Sequence, residues 1–205
     1  MKKKSLIISL AGATLLLCSM PSCMDLGETV YDKVQADHFG KNEAEIASIV
    51  GPVYRSLNQY VPYNFMALSE CSGDMAIVPT RKGGDWYDGG QYRELHMHSW
   101  TANTNQIKNC WSMATKSIST CNLVYSIVES NTFISDELKQ RTLAEIRGVR
   151  AIWFYIMMDN WGNIPLITDF KDTSLPTVTP RKEVYNFILK ELTEIKDVLR
   201  EDVST

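Results

Sequence analysis

Cysteine, histidine, proline and long apolar runs are all scarce in this sequence, and each shortage excludes something. Five cysteines are spread over 205 residues, too sparse for the framework of a small disulfide-stapled protein. No Cys-x-x-Cys pair occurs among them, which removes the common zinc and thiol-redox motifs. Only three histidines are present, so a histidine-rich metal centre is not on offer. The longest apolar run, Leu6 to Leu17, falls short of the roughly 20 residues that a membrane-spanning helix needs. A Gly-x-Ser-x-Gly elbow and a phosphate-cradling glycine loop are both missing. Strand-type alternation of useful length is missing too, and no repeat of about 34 residues is legible.

What is there begins with a leader. Lys2, Lys3 and Lys4 precede the apolar run, and Ser19-Met20-Pro21-Ser22-Cys23 follows it. A positive cluster, a short apolar stretch and a small residue before a cysteine fit a secretory signal of the lipoprotein kind. Ser22 suits that role, whereas Cys18 follows Leu15-Leu16-Leu17 and lacks the small residue. We therefore expect residues 1–22 to be a lipoprotein signal peptide and Cys23 to carry the lipid. The alternative is an ordinary secretory signal with an incidental cysteine. Removing residues 1–22 takes three lysines and no acid, so the net charge moves from −3 to −6. An acidic chain of this kind disfavours nucleic acid as a partner.

Behind the leader, four segments show helical periodicity. Ile46, Ile49, Val50, Val53, Tyr54, Leu57 and Tyr60 share one stripe, with Gly51-Pro52 inside it. Pro52 has no N–H for the Ser48 carbonyl, so a kink or break is expected there. Ile107, Cys110, Trp111, Ala114, Ile118, Cys121, Tyr125 and Val128 form the second stripe. Cys110 and Cys121 lie about 16 Å apart along such a helix, too far to bridge, and read as core. The third helix starts at Ser135 as N-cap with Asp136 and Glu137 behind it, and stops at Gly162. Its second half, Ala151 to Met158, is apolar nearly all round and should be buried. Trp111 and Trp153 read as core, and Trp161 at the helix end fits either role. The fourth helix is expected to start with Thr179 as cap and Pro180 at its first position. Arg147 and Arg150 interrupt the buried third helix and need acidic partners, for which Asp159 and Glu145 are the near candidates. Glu191, Glu194, Lys196, Asp197 and Arg200 read as the solvated face of the fourth helix.

Between the first two helices runs a segment from Val61 to Asn103, long for a compact domain and rich in aromatics. Trp86, Tyr87, Tyr92 and Trp100 offer flat apolar faces, and Asp85, Asp88, Gln91 and Arg81 offer polar groups. Sugar rings are held by that combination. We take Trp86, Tyr87, Tyr92, Trp100, Asp85 and Arg81 as candidate ligand-binding residues, with Trp86 foremost. The competing reading is that the rings pin the segment to the helices. His96 and His98 share a face on extended chain but have no third ligand at readable spacing, so no metal or cofactor is expected.

Three stretches carry a family resemblance. EIRGVRAIWFYIMMDNWGNIPLIT (residues 145–168), SGDMAIVPTRKGGDWYDGGQYRELHMHSW (72–100) and PRKEVYNFILKELTEIKDVL (180–199) together resemble the SusD/RagB family, in the family's order. DLGETVYDKV after Cys23 is similar to the family as well. The resemblance implies a mainly α fold with tetratricopeptide-like helix pairs and a long aromatic loop between the first two helices. It implies an outer-membrane, lipid-anchored, surface-exposed protein that binds a glycan or other nutrient and works with a TonB-dependent outer-membrane transporter (SusC-like). It implies no enzymatic activity. Family members are considerably longer, so residues 23–205 are expected to form a SusD-like N-terminal helical domain without the family's C-terminal part. The alternative is a truncated helical interaction module without its own ligand site.

Overall fold

The computed structural model describes residues 40–199, which belong to one unit spanning Phe39–Thr205. The expected signal peptide, Cys23 and DLGETVYDKV lie outside the described residues. Helix α1 spans Glu43–Tyr60. Its start is held by a reciprocal cap: Asn42 Oδ1 accepts from the Glu45 N–H at 3.0 Å, and Glu45 Oε2 accepts from the Gly40 N–H at 2.7 Å and the Lys41 N–H at 2.8 Å. Contrary to the expected break, the helix runs through Pro52. Ser48, Gly51 and Pro52 are exposed, so water can serve the carbonyl that proline leaves without a donor.

The segment after α1 is not a loop at its start. Val61–Cys71 continues as a π-helix, with Pro62 in its first turn. Proline gives no N–H to the carbonyl four residues back, which favours departure from the α ladder here. Asp88–Gly90 forms one 3-10 turn and α2 spans Gln91–His96. Only the remainder of 61–103 is irregular.

Helices α3 (Asn105–Ser130) and α4 (Asp136–Trp161) form a long hairpin. Ser135 caps α4 as expected, its hydroxyl oxygen accepting from the Leu138 N–H at 3.2 Å. Gly162 ends α4 with φ of 74°, a conformation that suits glycine. The chain leaves through β1 (Ile164–Pro165), which pairs antiparallel with β2 (Val178–Thr179) in the register Ile164 to Thr179. Helix α5 then spans Arg181–Ile195. Its N-cap is Pro180, one residue beyond the expected Thr179, because Thr179 is committed to the strand pair.

Helix α4 is central and packs on α1, α3 and α5. Trp153 and Phe154 are fully buried, with the Trp153 ring edge-on to Tyr60 at 5.4 Å and Phe154 against Phe187 at 5.5 Å. Cys110 and Cys121 are core residues as read, and Cys71 joins them.

The arginines of α4 find their acids elsewhere than in Asp159 or Glu145. Arg147 Nε and Nη2 donate to Glu191 at 3.1 and 2.8 Å, and Nη2 also reaches Glu194. Arg150 Nη2 donates to the same Glu191 at 2.9 Å. Its Nη1 donates to Asn122 Oδ1 at 2.9 Å and to the Thr168 carbonyl at 3.1 Å. Glu191 is therefore buried rather than solvated, and it bolts α5 to α4. The correction has a simple cause: Glu191 falls on the stripe of Val184, Ile188 and Ile195, which faces α4. Among the described residues no helix is long and apolar enough to cross a membrane.

Candidate functional site

A cleft of about 900 Å³ opens where the end of the π-helix, α2, the start of α3 and the last turn of α4 meet. Trp100, Trp111 and Trp161 line it, together with Leu68, Leu95 and Ile107. Trp111 comes from the second turn of α3 and Trp161 from the end of α4. Their rings stand edge-on, 5.1 Å apart at 80°, in the arrangement that places a positive ring edge against a negative face. Polar groups on the rim are Ser69, Ser72, Thr101, Lys108, Asp159 and Asn160. The volume falls in the usual range of small-ligand sites, roughly 300–1,000 Å³.

Trp100 is placed by a chain of local bonds. Thr104 Oγ1 donates to Glu94 Oε2 at 2.8 Å and accepts from the Thr101 N–H at 3.0 Å, which ties residues 101–104 to α2. His98 adopts φ of 52°, with its Nε2 2.8 Å from the Ser72 carbonyl oxygen. The His98 ring meets Trp100 edge-on at 5.4 Å. Trp100 remains 42% exposed, which leaves ring surface open to a ligand. In the core, burial pushes the Tyr60 phenol above its ordinary value and the Cys110 thiol up to about 12. Both stay neutral and belong to the packing, not to the cleft lining.

The remaining candidates from the sequence form a separate feature. Residues 81–90 make a glycine-rich strap in which the Arg81 N–H donates to the Asp85 carbonyl at 3.0 Å and the Gly84 N–H to the Arg81 carbonyl at 3.0 Å. Arg81 and Asp85 are exposed and line none of the described clefts with Trp100. Trp86 is 49% exposed and Tyr87 56% exposed. Trp86 adopts φ of 63°, in a region that a bulky side chain occupies only at a cost. Its ring packs at 6.4 Å from Tyr92, which is half-buried against the core. Of the six candidates, the cleft takes Trp100 alone. Trp86 and Tyr87 lie on the strap with Arg81 and Asp85, and Tyr92 meets the Trp86 ring from α2.

Trp111 was read as core and Trp161 as undecided; both are half-buried and line the cleft. The signal that pointed elsewhere was the helical stripe of Trp111, since a stripe marks a packed face without showing where that face ends. The two histidines diverge: His96 Nδ1 lies 3.2 Å from Asp74 Oδ1, while His98 turns to Ser72. Among the described residues no group of three His, Cys, Asp or Glu side chains could hold a metal ion.

No protein-family model matches the chain. A SusD-like protein of Bacteroides ovatus is 26% identical over 208 aligned residues, covering 98% of this chain and 36% of that protein. The fold is similar to a laminarin-binding SusD-like protein, with a TM-score of 0.69 at 19% identity over 80% of this chain and 36% of that one. A protein solved with a xylogluco-oligosaccharide has a TM-score of 0.64 at 22% identity, over 78% of this chain and 30% of that one. The chain thus spans about a third of the length of the proteins it matches.

Proposed function

Since the chain is SusD-like in sequence and in fold, we propose that it serves carbohydrate binding, as a surface lipoprotein that passes a glycan to a TonB-dependent outer-membrane transporter. The observation that carries the reading is the cleft walled by Trp100, Trp111 and Trp161 and rimmed by hydroxyl, amide and charged groups. Sugars present apolar ring faces and a fringe of hydroxyls, and such a site meets both. The names of the laminarin-binding neighbour and of the one solved with a xylogluco-oligosaccharide agree with that chemistry.

The reading is of binding rather than turnover: glycoside hydrolysis uses two carboxylates about 5–9.5 Å apart, and among the described residues Asp159 is the carboxylate that lines the cleft. Asp159 also lies 3.9 Å from Arg181. In this proposal Trp86, Tyr87, Asp85 and Arg81 on the strap, with Tyr92 of α2, form a second aromatic platform.

Calorimetric titration of the purified chain with laminari- and xylogluco-oligosaccharides tests the reading. We expect saturable binding, weakened about tenfold by Trp100→Ala, the loss of one stacked ring. A folded chain that binds none of a broad oligosaccharide panel, or a Trp100→Ala variant of unchanged affinity, would sink it. Anchoring is tested separately: Cys23→Ala should abolish incorporation of a labelled fatty acid and release the chain from membranes. Co-purification from solubilised outer membranes tests the transporter partnership.

A further inference from the structure

Helix α2 ends in a Schellman motif. The Ser99 N–H donates to the Glu94 carbonyl at 2.9 Å and the His98 N–H to the Leu95 carbonyl at 3.2 Å, with Met97 as the C-cap. The residue after such a cap turns left-handed, and glycine usually stands there because it has no Cβ to strain. In this chain the position is held by His98, at φ of 52°. A side chain kept in that region costs stability, and such an outlier points to a role for the side chain itself.

Two contacts give it one. His98 Nε2 lies 2.8 Å from the Ser72 carbonyl oxygen. A carbonyl only accepts, so Nε2 carries the proton and donates. The same ring stands edge-on to Trp100, with centroids 5.4 Å apart. Ser72 and Trp100 both line the cleft, Ser72 from the end of the π-helix and Trp100 from beyond α2. His98 therefore joins one wall to the other. The Ser72 end of this tie sits in a well-bonded turn. The Gly73 N–H donates to the Ser69 carbonyl at 3.0 Å, and the Met75 and Ala76 N–H groups share the Glu70 carbonyl at 2.9 and 3.0 Å. A parallel tie runs beside it, with His96 Nδ1 3.2 Å from Asp74 Oδ1. On the other side of Trp100 in the chain, Thr104 Oγ1 holds the Thr101 N–H. The segment that carries Trp100 is thus held at both ends, and His98 is its support on the α2 side.

We propose that His98 is a positioning residue of the cleft: its bond to Ser72 and its ring contact hold Trp100 in place as a wall for the ligand. The left-handed backbone at the end of α2 is kept for that purpose. The proposal rests on the carbohydrate reading of the cleft, and every contact it uses lies within residues 69–104. A ring that is already held loses less freedom when a sugar stacks on it, which strengthens binding without adding a contact.

The test separates position from stability. His98→Gly relieves the backbone and removes both side-chain contacts. Loss of a residue that only supports the fold lowers the urea midpoint, whereas His98→Gly should leave it at or above that of the wild type. In the same variant the Trp100 indole N–H, assigned in the heteronuclear NMR spectrum by Trp100→Phe, should shift and show a reduced heteronuclear NOE. The buried Trp153 indole should stay unchanged. Affinity for laminari- or xylogluco-oligosaccharides should fall about fivefold, the cost of ordering one side chain on binding. His98→Gln keeps an N–H donor near the place of Nε2 and should recover most of the indole NOE and of the affinity. An unchanged Trp100 indole in His98→Gly overturns the proposal, and so does a His98→Gln variant no better ordered than His98→Gly. A urea midpoint lowered by about 1 M in His98→Gly overturns it too, since His98 then serves the fold. The indole spectra need no ligand. A wild type that binds no oligosaccharide therefore overturns the glycan reading, while the spectra still decide what holds Trp100.

Discussion

Replacing Glu191 by glutamine tests how α4 and α5 are held together. Glu191 accepts from both Arg147 and Arg150, and Arg150 is 5% exposed. The substitution keeps the side-chain volume but leaves the Arg150 charge buried without its counter-ion. Breaking a buried pair from one side costs about 3–5 kcal/mol, whereas the half-exposed Glu194 should cost only about 0.2–1 kcal/mol on the same change. Urea unfolding should separate the two. With a slope of roughly 1–3 kcal/mol per molar, Glu191→Gln should lower the midpoint by at least about 1 M and Glu194→Gln by a few tenths. Acid unfolding gives a second readout. Burial raises the Glu191 carboxyl pKa, but hydrogen bonds from Arg147 and Arg150 outweigh it and set the net direction downward. A group whose pKa is depressed in the folded state stabilises above its unfolded pKa, about 4.3 for glutamate. That contribution is lost as pH falls through the folded value. The wild type should therefore lose stability below about pH 4 more steeply than Glu191→Gln. Equal midpoints for the two variants, or parallel acid limbs for wild type and Glu191→Gln, would refute the bolt.

Other predictions concern single positions. Ser135→Ala should cost about 1 kcal/mol by removing the cap of α4, read as a lower urea midpoint with unchanged slope. At position 86, Trp86→Gly should be more stable than Trp86→Ala by about 1 kcal/mol, because φ of 63° strains any residue with a Cβ. Equal stability of that pair would remove the claim of strain. Cys110 and Cys121, pushed up to about 12 by burial, should resist alkylation at pH 8 in the folded chain and react fully in urea, as site-resolved mass spectrometry would show.

Local signals in the sequence decided the helices. Ser135 and Gly162 mark the ends of α4 by side-chain capping and positive φ, effects that act within a few residues. The apolar stripe of α3 places Cys110, Ala114, Ile118 and Cys121 in the core because helical period alone selects one face. Where a tertiary contact competes, the local reading misses. Thr179 suits a helix cap but pairs with Ile164, and the cap passes to Pro180. Pro52 stays inside α1 because its neighbourhood faces water.

The site divided along the same line. Residue types in the aromatic segment already indicated ring surfaces beside polar groups, and Trp100 was among them. That Trp100 shares a cleft with Trp111 and Trp161, while Trp86 on the strap meets Tyr92 of α2, follows from the way residues 61–104 pack against the long helices. Glu191 shows the same division most plainly. Its acidic type and its place on α5 are sequence facts, but its burial between two arginines arises only when α5 lies down on α4. Capping and periodicity are short-range and can be read along the chain; charge pairing and cleft formation join residues tens of positions apart and exist only once the helices pack.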